Sequence, residues 1–381
     1  MEEKIKHIVV IAGEASGDMH AAHLVDEMKH LNPSLTFSGL GGESMKQCGV
    51  ELYHDMTKLA VIGFVEVLKH YGEIKRIFER AINEIKERKP ACVILVDYPG
   101  FNLRLAKELK KLSAKVIYYI SPQVWAWKKN RVRQIKKNVD KMLVIFQFEK
   151  DFYARLGMDV TFVGHPLMDS MEITVEKDKF LTSHGLEEYR LTVGLLPGSR
   201  EKEIQRILPL MLGAVRMLQE KYPMLQFLIV KAPTIEATLI QEELQKAKMQ
   251  IKIIEEDRYN AIHTCDLCLV ASGTATLETA LLLKPMVVVY KTSFLTWLLA
   301  KLFVTIPDIG LVNVVAGKRI VPECIQFQAT GKQIAQELEN IFKDEVRIAR
   351  IKSELGELKR SLDVGGASQR AAEEILRFLK I

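Results

Sequence analysis

Short apolar runs rich in Val, Ile and Leu recur along almost the whole chain, each closed by a turn and followed by a longer helical pattern. In the first half they are Ile8–Ala12, Leu35–Leu40, Ala91–Val96, Lys115–Ile120, Met142–Ile145 and Val160–Val163. Parallel neighbours need crossover connections, and right-handed crossovers lay helices over the sheet, so such alternation predicts a parallel sheet covered by helices. The polar stretch from Glu172 to Arg190 breaks the series and reads as a linker. A second series follows, with Leu191–Leu196, Gln226–Val230, Ile251–Ile254, Leu267–Val270 and Met286–Val289. The economical solution is α/β, with two Rossmann-like doubly wound domains facing across a cleft. A length of 381 residues suits two domains. Their expected spans are 1–170 and 190–350. The final helix, 367–381, carries Ala372, Leu376 and Leu379 on one stripe and is expected to pack back on the first domain.

Composition narrows the function classes. Apolar residues make up 48% and charged residues 27%, which supplies ample core. No run approaches the roughly 18–20 apolar residues of a membrane span. The charged start, Met1-Glu2-Glu3-Lys4-Ile5-Lys6, leads into a strand and not a signal peptide. Five scattered cysteines make no disulfide framework, and a cytoplasmic protein is expected. The net charge of +6 is mild but uneven: six of the ten residues from Lys128 to Lys137 are basic. That cluster fits a solvated helix face or a contact for phosphates and anionic headgroups. No motif for nucleic acid accompanies it. Cys265-Asp266-Leu267-Cys268 enters an apolar strand and reads as core, and His165 has no second His at ligand spacing, so no metal site is expected.

In open parallel sheets ligands bind beyond the carboxyl ends of the strands, so the residues just after each run carry most information. In the second half, Pro197-Gly198-Ser199-Arg200 and Ser272-Gly273-Thr274 each turn from a strand into a helix. Such turns aim backbone N–H groups and a helix dipole at one point, which suits a phosphate. Arg200 adds a planar fork of donors, and Glu278, one turn into its helix, offers a carboxylate to sugar hydroxyls. Together they describe a site for a nucleotide sugar. In the first half, Asp97 ends a strongly apolar strand. Desolvation there would raise its pKa into the range of a general base, although the residue equally fits a cap of the helix beginning near Asn102. The turn Gly13–Asp18 lacks the Gly-x-Gly-x-x-Gly spacing of dinucleotide folds. Its Glu14 and Asp18 would repel a diphosphate, whereas Glu14, Ser16, Gly17 and Asp18 suit an acceptor bearing hydroxyls.

Two stretches are unusually apolar: Leu59–Leu68, which includes Phe64, Val65 and Leu68, and Phe294 to Ile306, which includes Trp297 and Leu298. Short apolar helices edged by Lys or Arg occur both as buried core and as interfacial helices.

These motifs converge. Gly-Glu-Ala-Ser-Gly-Asp at 13–18, Asp-Tyr-Pro-Gly-Phe-Asn at 97–102, Ser-Pro-Gln-Val-Trp-Ala-Trp at 121–127, Leu-Pro-Gly-Ser-Arg at 196–200 and Ala-Ser-Gly-Thr-Ala-Thr-Leu-Glu at 271–278 closely resemble the bacterial lipid-A-disaccharide synthases. The likeness runs from residue 8 to Gly-Gly-Ala-Ser at 365–368. It implies a glycosyltransferase B fold and an inverting transfer without metal or other cofactor. The implied donor is UDP-2,3-diacylglucosamine and the acceptor 2,3-diacylglucosamine 1-phosphate. The implied products are the β-1,6-linked disaccharide 1-phosphate and UDP. It matches Asp97 to the catalytic aspartate, and Arg200, Glu278 and Asn313 to residues near the nucleotide sugar. Lys128 stands where relatives often have Arg. Acylated substrates also imply peripheral association with the cytoplasmic face of the inner membrane. Phe64, Val65, Leu68, Phe294, Trp297 and Leu298 then become membrane or acyl contacts. Monomer and homodimer both fit. The competing readings are another UDP-sugar glycosyltransferase or epimerase on this fold, and a non-catalytic nucleotide-sugar-binding protein at the membrane.

Overall fold

The structure is a computed structural model that describes residues 6–56, 71–127, 131–294, 297–298 and 308–381. The chain divides into two compact units, Met1–Asp169 with Leu362–Ile381, and Ser170–Ser361. In the first, the strands are β1 (His7–Ala12), β2 (Thr36–Gly41), β3 (Glu51–Asp55), β4 (Cys92–Val96), β5 (Val116–Tyr119), β6 (Lys141–Val144) and β7 (Thr161–Phe162). They form one parallel sheet in the order β3-β2-β1-β4-β5-β6-β7. The second unit holds β8 (Leu191–Leu196), β9 (Leu225–Val230), β10 (Lys252–Ile254), β11 (Leu267–Ala271), β12 (Met286–Tyr290) and β13 (Glu323–Ile325), all parallel, in the order β10-β9-β8-β11-β12-β13.

Both sheets therefore start in the middle, wind outward one way, then return and wind the other way. The central strands are buried throughout because each face is packed against other elements. Every residue of Cys92–Val96 and of Leu267–Ala271 is interior. The reversal points lie between β1 and β4 in one sheet and between β8 and β11 in the other. At such a point the two outgoing loops part to opposite faces and open a crevice. Register keeps the loops level: Ala12 pairs with Val96, and Leu196 with Val270.

Two strands escape the apolar pattern. β3, Glu-Leu-Tyr-His-Asp, is an edge strand bearing the charges that edges tolerate. β13 is a three-residue edge. The segment expected as a linker is ordered and belongs to the second unit. Lys177 Nζ contacts Asp266 Oδ1 at 2.6 Å, and Asn260 Oδ1 accepts the Thr174 N–H at 3.0 Å. That unit also extends to Ser361, beyond the expected limit at 350.

The last helix, Ala367–Leu379, is part of the first unit. Gly365 and Gly366 turn the chain with φ of +57° and +58°, and Asp169 caps the helix by accepting the Ala367 and Ser368 N–H groups at 3.1 and 2.8 Å. Cys265 and Cys268 are fully buried beside Gly194, where a side chain would meet Cys265 Sγ. Among the described residues no helix is long and apolar enough to cross a membrane, and no three His, Cys, Asp or Glu side chains gather as metal ligands.

Candidate active site

In the first unit the reversal point carries acid. Asp97 follows β4 in the left-handed region (φ +45°), and so does Tyr98 (φ +44°). For residues with a Cβ that conformation costs roughly 1–2 kcal/mol each, so something must hold it. The Asp97 carbonyl accepts from Tyr118 Oη at 2.6 Å and from Asn102 Nδ2 at 2.8 Å, and the Asp97 N–H donates to Tyr119 O at 3.0 Å. Asn102 Nδ2 also reaches the Val96 carbonyl at 3.1 Å. The elbow is locked through its backbone, which leaves the carboxylate for other work. Tyr98 lies against Gly13, whose Cβ would fall 2.1 Å from the ring. Burial first, and the neighbouring Glu14 charge second, push the Asp97 carboxyl up to about 7, against a backbone hydrogen bond from Tyr98 that lowers it. A carboxylate so tuned can take a proton near neutral pH.

The loop after β1 supplies that neighbour. Glu14 precedes the helix Ala15–Leu31, and Ser16, Gly17 and Asp18 form its first turn. The structure gives Asp18 a structural role. Its buried carboxylate accepts the N–H groups of Gly42 at 2.6 Å, Ser44 at 2.9 Å and Met45 at 3.3 Å, capping the helix Glu43–Gln47. Both oxygens are engaged, which corrects the expectation that this side chain is offered to an acceptor. Glu14 and Ser16 remain partly exposed.

In the second unit the reversal point carries donors. Gly198 takes φ +126°, a conformation glycine adopts readily, and Arg200 is the N-cap of the helix Glu201–Lys221. Thr234 Oγ1 steadies the loop by donating to Ser199 O at 2.7 Å. On the adjacent strand, Gly273 (φ +153°) is the N-cap of the helix Thr274–Leu281, and Ser272 Oγ donates to Ile309 O at 2.9 Å. Glu278 is buried within that helix and hydrogen-bonded to Arg258. Burial raises its pKa, with Arg258 and Tyr259 opposing. Asn313 needs a correction as a direct contact. Its Nδ2 donates to Val321 O at 2.9 Å and Glu323 Oε1 at 2.8 Å, while Oδ1 accepts the Ile320 and Val321 N–H groups at 2.8 and 3.1 Å. Those four bonds use the whole amide. Asn313 thus braces the turn at Ile320–Val321 and, through Glu323, which accepts the Ile309 and Gly310 N–H groups at 3.0 and 2.9 Å, the turn at Gly310.

A sequence model described as lipid-A-disaccharide synthetase matches residues 8–377. The lipid-A-disaccharide synthase of Geobacter sulfurreducens is 42% identical, covering 100% of this chain and 99% of its own. That of Syntrophus aciditrophicus is 44% identical, covering 98% of both. The chain belongs to the lipid-A-disaccharide synthase family. Among solved structures, UDP-GlcNAc 2-epimerase from Neisseria meningitidis bound to UDP-GlcNAc superimposes with a TM-score of 0.68 at 14% identity, over 97% of this chain and 100% of that one. At that identity the likeness is one of fold. Family membership makes the chain a glycosyltransferase that uses a UDP-sugar.

For a member of this family the remaining surface of interest is apolar. Phe294 is 61% exposed and Phe327 68% exposed, with Trp297 between them: its ring lies 5.9 Å from the Phe294 ring and 5.1 Å, edge-on, from that of Phe327. Leu298 is also exposed. Phe64, Val65 and Leu68 lie outside the described residues, as do Lys128 to Asn130. Sequence reasoning missed Phe327, Arg258, Tyr118 and the role of Asn102. Arg258 opens the short helix Arg258–Thr264 and Phe327 sits in a turn, neither marked by periodicity, and the other two act through a backbone carbonyl that no side-chain pattern reports.

Proposed function

We propose that the chain joins UDP-2,3-diacylglucosamine to the 6-hydroxyl of 2,3-diacylglucosamine 1-phosphate, releasing UDP and the β-1,6-linked disaccharide 1-phosphate. The observation that carries the mechanism is Asp97: a carboxyl pushed to about 7 at the reversal point of the first sheet. The acceptor oxygen attacks the anomeric carbon on the face opposite UDP. Its proton passes to Asp97, the new C–O bond forms, and the electron pair of the old one leaves with the diphosphate. The donors of the second unit suit that leaving charge: Arg200, the N–H groups of Gly198, Ser199, Gly273 and Thr274, and the two helix ends behind them. Glu278 would hold sugar hydroxyls, with Arg258 fixing its carboxylate. Ser272 and Asn313 act indirectly, through the backbone turns they brace. Glu14 with Ser16 and Gly17 lines the acceptor side, and Asp18 shapes that loop from within.

Acylated substrates reside in a lipid surface. The rings of Phe294, Trp297 and Phe327, with the exposed Leu298, offer apolar surface suited to it. The deciding assay is turnover of both substrates in mixed micelles containing EDTA, comparing wild type with Asp97→Asn. Disaccharide and UDP from wild type alone support the proposal. A folded, UDP-binding wild type that makes no disaccharide overturns it in favour of another UDP-sugar. Loss of vesicle sedimentation in Phe294→Ser/Trp297→Ser tests the surface.

A further inference from the structure

The donors that Gly198–Arg200 would offer a diphosphate are engaged here by a carboxylate of the chain itself. Glu203 Oε2 accepts the Ser199 N–H at 3.0 Å, and Oε1 accepts from Arg200 Nη1 at 3.0 Å. A Cβ on Gly198 would lie 2.6 Å from the same Oε2, so the carboxylate also covers the glycine surface. One anionic group thus spans a backbone donor, a guanidinium and a bare glycine, the three features a phosphate would use. It also sits in the first turn of the helix Glu201–Lys221, where the dipole favours negative charge.

A Glu at this helical position often reaches back to an N–H group simply as a cap. Capping accounts for the Ser199 bond but leaves the Arg200 bond unexplained. That second bond matters because a diphosphate and this carboxylate, both anionic, compete for the same partners. We propose that Glu203 is a built-in competitor for the nucleotide diphosphate. It holds Ser199 and Arg200 in place while the loop is empty, is displaced when the donor binds, and by returning favours release of UDP. The proposal rests on the reading of this loop as the diphosphate site. Arg206, one turn further along the helix, offers the displaced carboxylate a second cation. Burial raises the pKa of the Tyr290 hydroxyl at the end of β12, the Glu203 charge adds to that, and the Arg200 and Arg206 charges oppose it.

Calorimetric titration of the full chain with UDP and with uridine tests this. Glu203→Gln keeps an oxygen to accept the Ser199 N–H but removes the charge, separating competition from capping. Its expected result is UDP binding roughly 5–10-fold tighter, uridine binding unchanged, and a correspondingly lower inhibition constant for UDP as product. Glu203→Ala, which loses the cap as well, is expected to melt earlier yet still bind UDP more tightly than wild type. Unchanged or weaker UDP binding in either folded variant overturns the proposal. The underlying reading fails separately: if Arg200→Ala binds UDP as wild type does, the loop is not the diphosphate site.

Discussion

The two units are nearly the same object in topology and opposite objects in chemistry. Each sheet reverses its winding beside its first strand, and in each the two loops leave adjacent strands at one level. At the first reversal stand Glu14 and Asp97, and the Glu14 charge adds to what burial already makes it cost to ionise Asp97. At the second stand Arg200, two glycine turns and two helix starts. The fold fixes where a ligand sits, and a handful of loop residues fix which charge it carries. An acid pair repels phosphate and suits a hydroxyl about to lose its proton. A cradle of donors suits an anion about to leave. Under the proposed mechanism glycosyl transfer needs one of each, and the two units carry loops of opposite character.

The sharpest way to break this division of labour is to disable each reversal point in turn. Asp97→Asn is expected to lower kcat by about 10²–10⁴-fold, the usual worth of a positioned base, while UDP titrates as in wild type. Arg200→Ala is expected to cost about 10²–10³-fold in rate and to weaken UDP binding as well. If Asp97→Asn weakened UDP as strongly as Arg200→Ala did, the two reversal points would not divide the reaction as argued. A smaller effect, on stability alone, is expected at Asn313. Removing its amide with Asn313→Ala strands the Ile320 and Val321 N–H groups and the Val321 carbonyl, at about 2–4 kcal/mol. Thermal unfolding that leaves the melting temperature untouched would contradict that role.

Much of this comparison was legible in the sequence, for identifiable reasons. The central strands are apolar along their whole length because both faces are covered, and that signal does not depend on register. Asp97, Arg200 and the two glycine turns follow such strands closely, so a reading that starts from strand ends singles them out as candidates. The edge strands β3 and β13 were not legible, since edges are short and bear charge. Nor were Asp18 and Asn313 as interior braces: an Asp or Asn in a motif looks the same whether its polar atoms face a ligand or the backbone. Arg258 and Glu203 became visible only once folding had set each beside its partner. Asn102 is intermediate, its place in the motif evident but its grip on the Asp97 carbonyl set by a left-handed elbow that no residue preference announces.

The subtlest expectation concerns the acid pair itself. Burial is the larger cause of the raised Asp97 pKa and the Glu14 charge the smaller, so the two can be told apart by pH. A base must be ionised to act, and wild-type kcat/KM should therefore rise with pH through about 7. Stability has the opposite sign. The folded state favours protonated Asp97, so its contribution is fully present below pH 4 and is lost as pH rises through about 7. Asp97→Asn should consequently match wild type in melting temperature near pH 4 and exceed it at pH 8. In Glu14→Gln the raising charge is gone while burial stays. The rate limb should then move to lower pH, yet remain well above the range of an exposed Asp. A limb that stays where it was would mean that burial alone tunes Asp97. A limb that moves upward would mean that Glu14 stabilises the ionised base, and the acid pair would have to be redrawn as a hydrogen-bonded dyad sharing a proton.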